Sequence, residues 1–145
     1  MQKVIEVLRH MLTKEQMLPL LAEASPSFAD KWEEHKREYE DEEDFLPYTA
    51  LGKLAHHLIN LEKQNETSEF KDIFEVVEQL HLDGEHYVRE AATIGLLESL
   101  QNILGEDSAK FEKYLKPTSL KWWDELNKFW DGQIQFVGQT INTKN

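Results

Sequence analysis

Cysteine is absent from this chain. Disulfides, thiolate nucleophiles and Cys-based zinc or iron–sulfur sites are thereby excluded. Proline and glycine are scarce, four and six in 145 residues, and they stand mostly where helices should stop. No apolar run reaches the roughly 18 residues of a membrane helix. The segment MQKVIEVLRHML alternates charge with Val and Leu and has no small-residue cleavage site. It does not read as a signal peptide, so a soluble cytoplasmic protein is expected. Basic residues are the scarce charge, 16 against 28 acids, for a formal net charge of −12. That balance disfavours nucleic acid and anionic membranes as partners, because Lys and Arg on phosphate supply most affinity there. No stretch alternates strictly with β-branched enrichment, so no strand is expected. G-x-S-x-G, P-loop, G-x-G-x-x-G and H-E-x-x-H motifs are all missing.

What is present is apolar residues at helical spacing, including four Trp and seven Phe, enough for one packed domain. Val4, Ile5, Leu8, Met11 and Leu12 form a first stripe. Thr13 and Gln16 make a capping box for a short helix through Leu18, Leu21 and Ala22. Pro19 fits only a first turn, which places that helix's start near Met17. Ser25-Pro26-Ser27 ends it, and Ser27 can cap a polar helix carrying Phe28, Trp32, His35 and Tyr39. A helix through Tyr48, Leu51, Leu54, Leu58 and Leu61 contains Gly52, which costs about 1 kcal/mol against alanine unless another backbone comes close. Phe70, Ile73, Phe74, Val77 and Leu80 repeat at the same spacing up to Asp83-Gly84. The helix Glu85–Leu104 follows and Gly105 ends it. After a short helix with Phe111 and Tyr114, Thr118 or Ser119 caps Leu120–Asp131, and Gly132 stops it. The expectation is one all-α domain over 1–132, with six or seven helices arranged as HEAT-like hairpins or an irregular bundle. The tail 133–145 is left unassigned.

The stretch Phe70–Leu104 carries V-R-x-A-A as Val88, Arg89, Ala91 and Ala92, followed by Gly95, Leu96 and Leu100. The helix Glu85–Leu104 resembles the second helix of a HEAT-type repeat, and Phe70–Leu104 as a whole a HEAT-like hairpin. Small residues there would let the preceding helix sit closer than the usual 8–10 Å. Across the chain, Leu20–Phe28, Trp32–His35, Glu40–Asp44, Leu46–Leu54, Phe70–Leu104 and Trp123–Trp130 resemble in order a group of small uncharacterised bacterial proteins. In size, acidity and helicity the chain is similar to immunity proteins, which neutralise toxins. The resemblance implies a protein-binding inhibitor.

Between Asp30 and Asp44 nine acids meet three bases, and this net −6 is half the chain's total. Such a segment suits docking to a basic partner, where charge speeds association. The candidate partner-binding residues are Glu33, Glu34, Glu38, Glu40, Asp41, Glu42, Glu43, Asp44 and Trp123. Trp122, Leu126, Phe129 and Trp130 follow one buried stripe. Trp123 lies about 100° off it and either widens the packed face or anchors a partner. Glu78-x-x-His81 is half of a di-iron carboxylate signature, but the second pair is missing, and the plainer reading is a solvated face. His56 and His57 point about 100° apart and cannot share a metal. No catalytic residue, metal or cofactor is expected, and no oligomeric state is implied. Alternative readings are a helical metal-binding protein or enzyme using Glu78 and His81, and a helical-repeat adaptor.

Overall fold

A computed structural model describes residues 11–39 and 46–142. Lys14–Ala24 forms α1, and Pro26–His35 forms α2, which runs into a 3₁₀ turn at Lys36–Tyr39. Leu46–Lys63 is α3 and Phe70–Asp83 is α4. A rod over 86–104 follows, made of α5 (His86–Glu90), a π-helical segment (Ala91–Leu97) and α6 (Glu98–Leu104). The 3₁₀ stretch Gly105–Tyr114 leads to α7 (Pro117–Trp130) and a short α8 (Gln139–Asn142). Counting the rod as one, the described residues form seven α-helices and no strand, so the fold is all-α. None of these helices is long and apolar enough to cross a membrane.

Several boundaries differ from the sequence reading: α2 starts at Pro26 behind Ser25, with Ser27 inside it, and α7 starts at Pro117 behind Lys116, with Thr118 and Ser119 in its first turn. Val4, Ile5 and Leu8 lie outside the described residues, while Met11 forms a bend and Leu12 an isolated bridge rather than a helix. Leu12 bridges Gly84: its amide donates to the Asp83 carbonyl and its carbonyl accepts the Glu85 amide, both at 2.8 Å. Helix α1 begins at Lys14, three residues before Met17, and holds Pro19 inside it on an exposed side. The Gln16 side chain accepts the Thr13 amide at 3.0 Å, the expected arm of the capping box.

Leu51, Leu54 and Leu58 of α3 pack against the buried side of the rod, while α4, whose Phe70, Ile73, Phe74, Val77 and Leu80 belong to the same buried core, packs mainly against α1 and α7. Phe70, Phe74, Phe111 and Tyr114 form an aromatic nest, with Phe70 edge-on to Tyr114 at 4.8 Å between centroids. Edge-to-face pairs of this kind contribute about 0.5–1.5 kcal/mol beyond area burial. The small-residue side of the rod is buried at Ala91, Ala92 and Gly95. At Gly95 it receives α3, however, and not the preceding helix α4: a Cβ there would meet Leu51 Cδ1 at 2.6 Å and Tyr48 Cδ1 at 3.3 Å.

Helix α4 also organises its neighbours electrostatically. Glu69 before it, Glu78 within it and Glu85 beyond it each accept backbone amides at the start of another helix. Glu85 takes the Lys14 amide of α1 at 2.9 Å. Glu69 takes the Ser27 amide of α2 at 3.3 Å. Glu78 takes the Thr118 and Ser119 amides of α7 at 3.0 and 2.8 Å. First-turn amides have no partner inside their own helix and sit at the positive end of its dipole, so a carboxylate stabilises them twice over. The tail is fastened similarly. Buried Glu125 of α7 accepts the Gly138 amide at 3.0 Å, and Lys128 reaches Thr140 at 3.4 Å.

Candidate functional site

Helix α2 turns two different faces outward and inward. Phe28 and Trp32 are buried and stacked, with ring centroids 6.4 Å apart. Glu33, Glu34 and Glu38 are exposed, and Glu33 pairs with Lys36 at 2.9 Å. Glu40, Asp41, Glu42, Glu43 and Asp44 lie outside the described residues. Trp123 is a correction to the expected partner-binding set. It is 0% exposed, packed inward with Ser119 and Leu126 at i−4 and i+3, so it cannot meet a partner. The stripe is rotated accordingly: Phe129 and Trp130, expected inside, are 37% and 48% exposed. The Trp130 indole N–H donates to Gln101 at 3.0 Å.

Glu78 and His81 are brought together, but not on a solvated face. Both are buried. Besides the two amides, Glu78 accepts the Ser119 hydroxyl at 2.9 Å. Because that hydroxyl proton goes to a carboxylate, Ser119 Oγ must accept from His81 Nδ1–H, 2.9 Å away. His81 Nε2 lies 3.0 Å from the Thr93 hydroxyl, which completes the chain. Burial alone would raise the Glu78 carboxyl, but the hydrogen bonds from Ser119 and Thr118 hold it below its ordinary value. Burial lowers His81 to about 4 against the opposing pull of Glu78, so the imidazole is neutral.

A second set repeats this order at the start of α2. Glu69 accepts the Ser25 hydroxyl at 2.6 Å and the Ser27 hydroxyl at 2.7 Å. Ser27 Oγ in turn lies 2.7 Å from His57 Nε2. Burial would raise Glu69, and the bonds from both serines more than offset it. His57 is pushed below its usual value by burial and by the nearby Lys31 charge, with Glu69 opposing. In a nucleophilic triad the imidazole sits between hydroxyl and carboxylate and takes the hydroxyl proton. Here the serine sits in the middle, its proton is committed to the carboxylate, and its oxygen accepts from histidine. Both sets are therefore helix clamps in chemistry, and neither holds an activated nucleophile. Among the described residues no group of three or more His, Asp or Glu side chains is placed to hold a metal.

Beside the second clamp, α2 and α3 leave a cleft of about 230 Å³. Phe28, Lys31 and Trp32 line it from α2, and Lys53, His56, His57 and Asn60 from α3. His56 is exposed and His57 buried, as their adjacency requires. The sequence reading passed over Lys31, Lys53, Asn60 and Glu69 as site residues. One signal was legible: Ser-Pro-Ser and Pro-Thr-Ser both place hydroxyls in a helix's first turn.

Fold and site define an all-α helix-packing domain whose hydroxyl, imidazole and buried carboxylate groups are turned inward to fasten helix ends. Over residues 18–131 the chain matches the family described as Domain of unknown function (DUF7674), and it belongs to that family. The matched region ends at the C-cap of α7, so the docked tail lies beyond it. No curated protein and no solved structure is detectably similar to the chain.

Proposed function

We propose that this domain is a protein-binding inhibitor of the immunity or antitoxin kind, docking a basic partner through the acidic outer side of α2 and the segment after it. The observation that carries this reading is the division of labour among the carboxylates. Glu69, Glu78, Glu85 and Glu125 are consumed by helix ends, whereas Glu33, Glu34 and Glu38 face outward. Continuation of the run through Glu40–Asp44 concentrates negative charge, and such charge raises association rate and selects basic surfaces. The HEAT-like order of the Phe70–Leu104 hairpin and the chain's own acidic, all-helical character agree with a binding role.

The test starts with affinity capture from the native host at low salt. The partner should be a basic protein released as salt rises. Surface plasmon resonance then compares the parent with a Glu33→Gln, Glu34→Gln, Glu38→Gln variant. Losing the exposed Glu33–Lys36 pair should cost little stability. Association should slow and its salt dependence flatten. An unchanged on-rate and salt slope would remove α2 from the interface.

A further inference from the structure

Bases are the minority charge in this chain, 16 against 28 acids, yet three lysines meet in one hollow of about 380 Å³. Lys71 enters it from the first turn of α4. Lys113 and Lys116 enter from either side of Leu115, where the 3₁₀ stretch gives way to α7. Thr67 and Tyr114 complete the polar lining, and no acid stands among the described residues that line it. None of the three ammonium groups is engaged by an acid: among the described residues they make no ion pair and no hydrogen bond. Lys110, earlier on the same 3₁₀ stretch, shows the contrast by reaching Glu62 at 3.9 Å. We propose that this hollow binds a small phosphorylated ligand through its phosphoryl oxygens, a compact group carrying two or more negative charges.

The number of lysines sets the ligand's charge. Ammonium groups act as point charges, and three that share a hollow repel one another until an anion lies between them. A singly charged carboxylate would leave most of that repulsion in place. The chain's net charge sets the ligand's size. An extended polyanion, such as a DNA duplex or an anionic bilayer, would also face the acids of the surrounding surface. Charges further off than a Debye length, about 10 Å at 0.1 M salt, are largely screened, so a compact anion seated among the lysines feels chiefly them. Glu66, Asp72 and Glu112 neighbour the lining residues in sequence without lining the hollow, and Glu69 is held by Ser25 and Ser27. One wall is fixed in advance. Tyr114 stacks on Phe74 at 5.9 Å and meets Phe70 edge-on at 4.8 Å. The Lys113 ammonium rests over the Tyr114 ring, 5.2 Å from its centroid. That cation–π contact gives the side chain a preferred place and leaves its N–H donors for a ligand. Lys71 and Lys113 are exposed and Lys116 is half-exposed, so all three can be reached. By contrast, the hollow of about 450 Å³ beside the π segment mixes Arg89 with Glu90, which itself pairs with His86 at 3.2 Å. That hollow has no preferred sign of charge.

Isothermal titration calorimetry on the full chain at low salt tests the assignment with pyrophosphate, inorganic phosphate, acetate and a short DNA duplex as probes. Pyrophosphate should saturate a single site per chain. Inorganic phosphate, with fewer charges, should bind about tenfold more weakly, and acetate should give no saturable heat. Lys71→Gln and Lys113→Gln, both at exposed positions, should each weaken pyrophosphate by about fivefold, and the triple variant that adds Lys116→Gln by about a hundredfold. The Lys31→Gln, Arg37→Gln pair removes two charges from exposed positions on and after α2 and should leave the affinity near that of the parent. Circular dichroism and urea midpoints show which variants fold, and the two single variants carry the test if the triple one does not. The proposal is overturned if pyrophosphate does not saturate, or if the folded single variants keep the parent's affinity. An equal loss in the Lys31, Arg37 pair would reduce the effect to net charge and overturn it too. A duplex that binds as tightly as pyrophosphate and is released by the same lysine substitutions would make the hollow part of a nucleic-acid surface instead.

Discussion

A Cβ built on Gly84 would lie 2.3 Å from the Leu80 carbonyl oxygen and 2.6 Å from Val88 Cγ1. The backbone there has φ −73°, open to any residue, so the need for glycine is steric and comes from how tightly α4 turns into α5. The carbonyl belongs to the chain itself and cannot rotate away as a side chain could. Gly84→Ala should therefore destabilise by about 3 kcal/mol, the upper range of overpacking costs. Gly52 is the opposite case. Nothing lies within 4 Å of a Cβ added to it, although it stands in the middle of α3. The condition under which its helix cost would be excused, a close backbone, is not met. Gly52→Ala should stabilise by about 1 kcal/mol, part of it by restricting the unfolded chain. Urea midpoints at constant m-value measure both. Equal, small effects at the two positions would show that the turn relaxes easily and that the packing drawn around Gly84 is wrong.

Helix by helix, the existence of elements was readable because apolar spacing near 3.6 residues is a local property. The capping partners were not, because they are remote: Glu85 is 71 positions from Lys14, Glu69 is 42 from Ser27, and Glu78 is 41 from Ser119. The phase of α7 was misread for a related reason. Trp122, Trp123, Phe129 and Trp130 leave several directions equally apolar, and only the packing of Ser119 under Glu78 and His81 fixes which side turns inward. These clamps make stability depend on pH with a definite sign. Glu69 and Glu78 are held below their ordinary values. As pH falls, the unfolded chain takes up their protons first, and their contribution, complete above the ordinary carboxylate range, is lost toward the folded value. His81 acts in the same direction. It stays neutral in the fold down to about 4, while an unfolded histidine protonates near 6.5, so the window from about 6.5 to 4 costs roughly 3 kcal/mol. Urea titrations at stepped pH should show stability declining throughout that window. His81→Gln should flatten the decline above about pH 5, where carboxylates still titrate little. An unchanged slope would mean that His81 takes up its proton in the fold as readily as in the unfolded chain, with Nε2–H then donating to the Thr93 hydroxyl.

For the whole molecule, the charge balance was legible from composition, but its distribution was not. Composition gives −12 without saying that four glutamates are matched to backbone amides, or that one hollow is lined by three lysines and no described acid. The candidate docking surface was legible as a run of acids, since charge density along the chain is itself local. The three-lysine hollow was not, because Lys71 meets Lys113 and Lys116 only through tertiary packing. A protein so charged repels itself when compact, and the repulsion acts between exposed groups that salt can screen. Buried clamps are screened far less, because the ions cannot approach them. Sodium chloride should therefore raise the melting temperature between about 0.1 M and 1 M, where the Debye length falls from about 10 Å to about 3 Å. The gain should be about 1 kcal/mol, or roughly 4 °C for a domain of this size. Replacing Glu40, Asp41, Glu42 and Glu43 by their amides removes four charges from the densest acidic run. The variant should melt higher than the parent at low salt and gain less from added salt. Differential scanning calorimetry of both proteins across the salt series decides it. A parent whose melting temperature falls with salt would show that attraction, not repulsion, dominates its surface, and that the acids of this run are paired with basic groups of the same chain. They would then be unavailable to a basic partner, and the docking reading would lose its electrostatic basis.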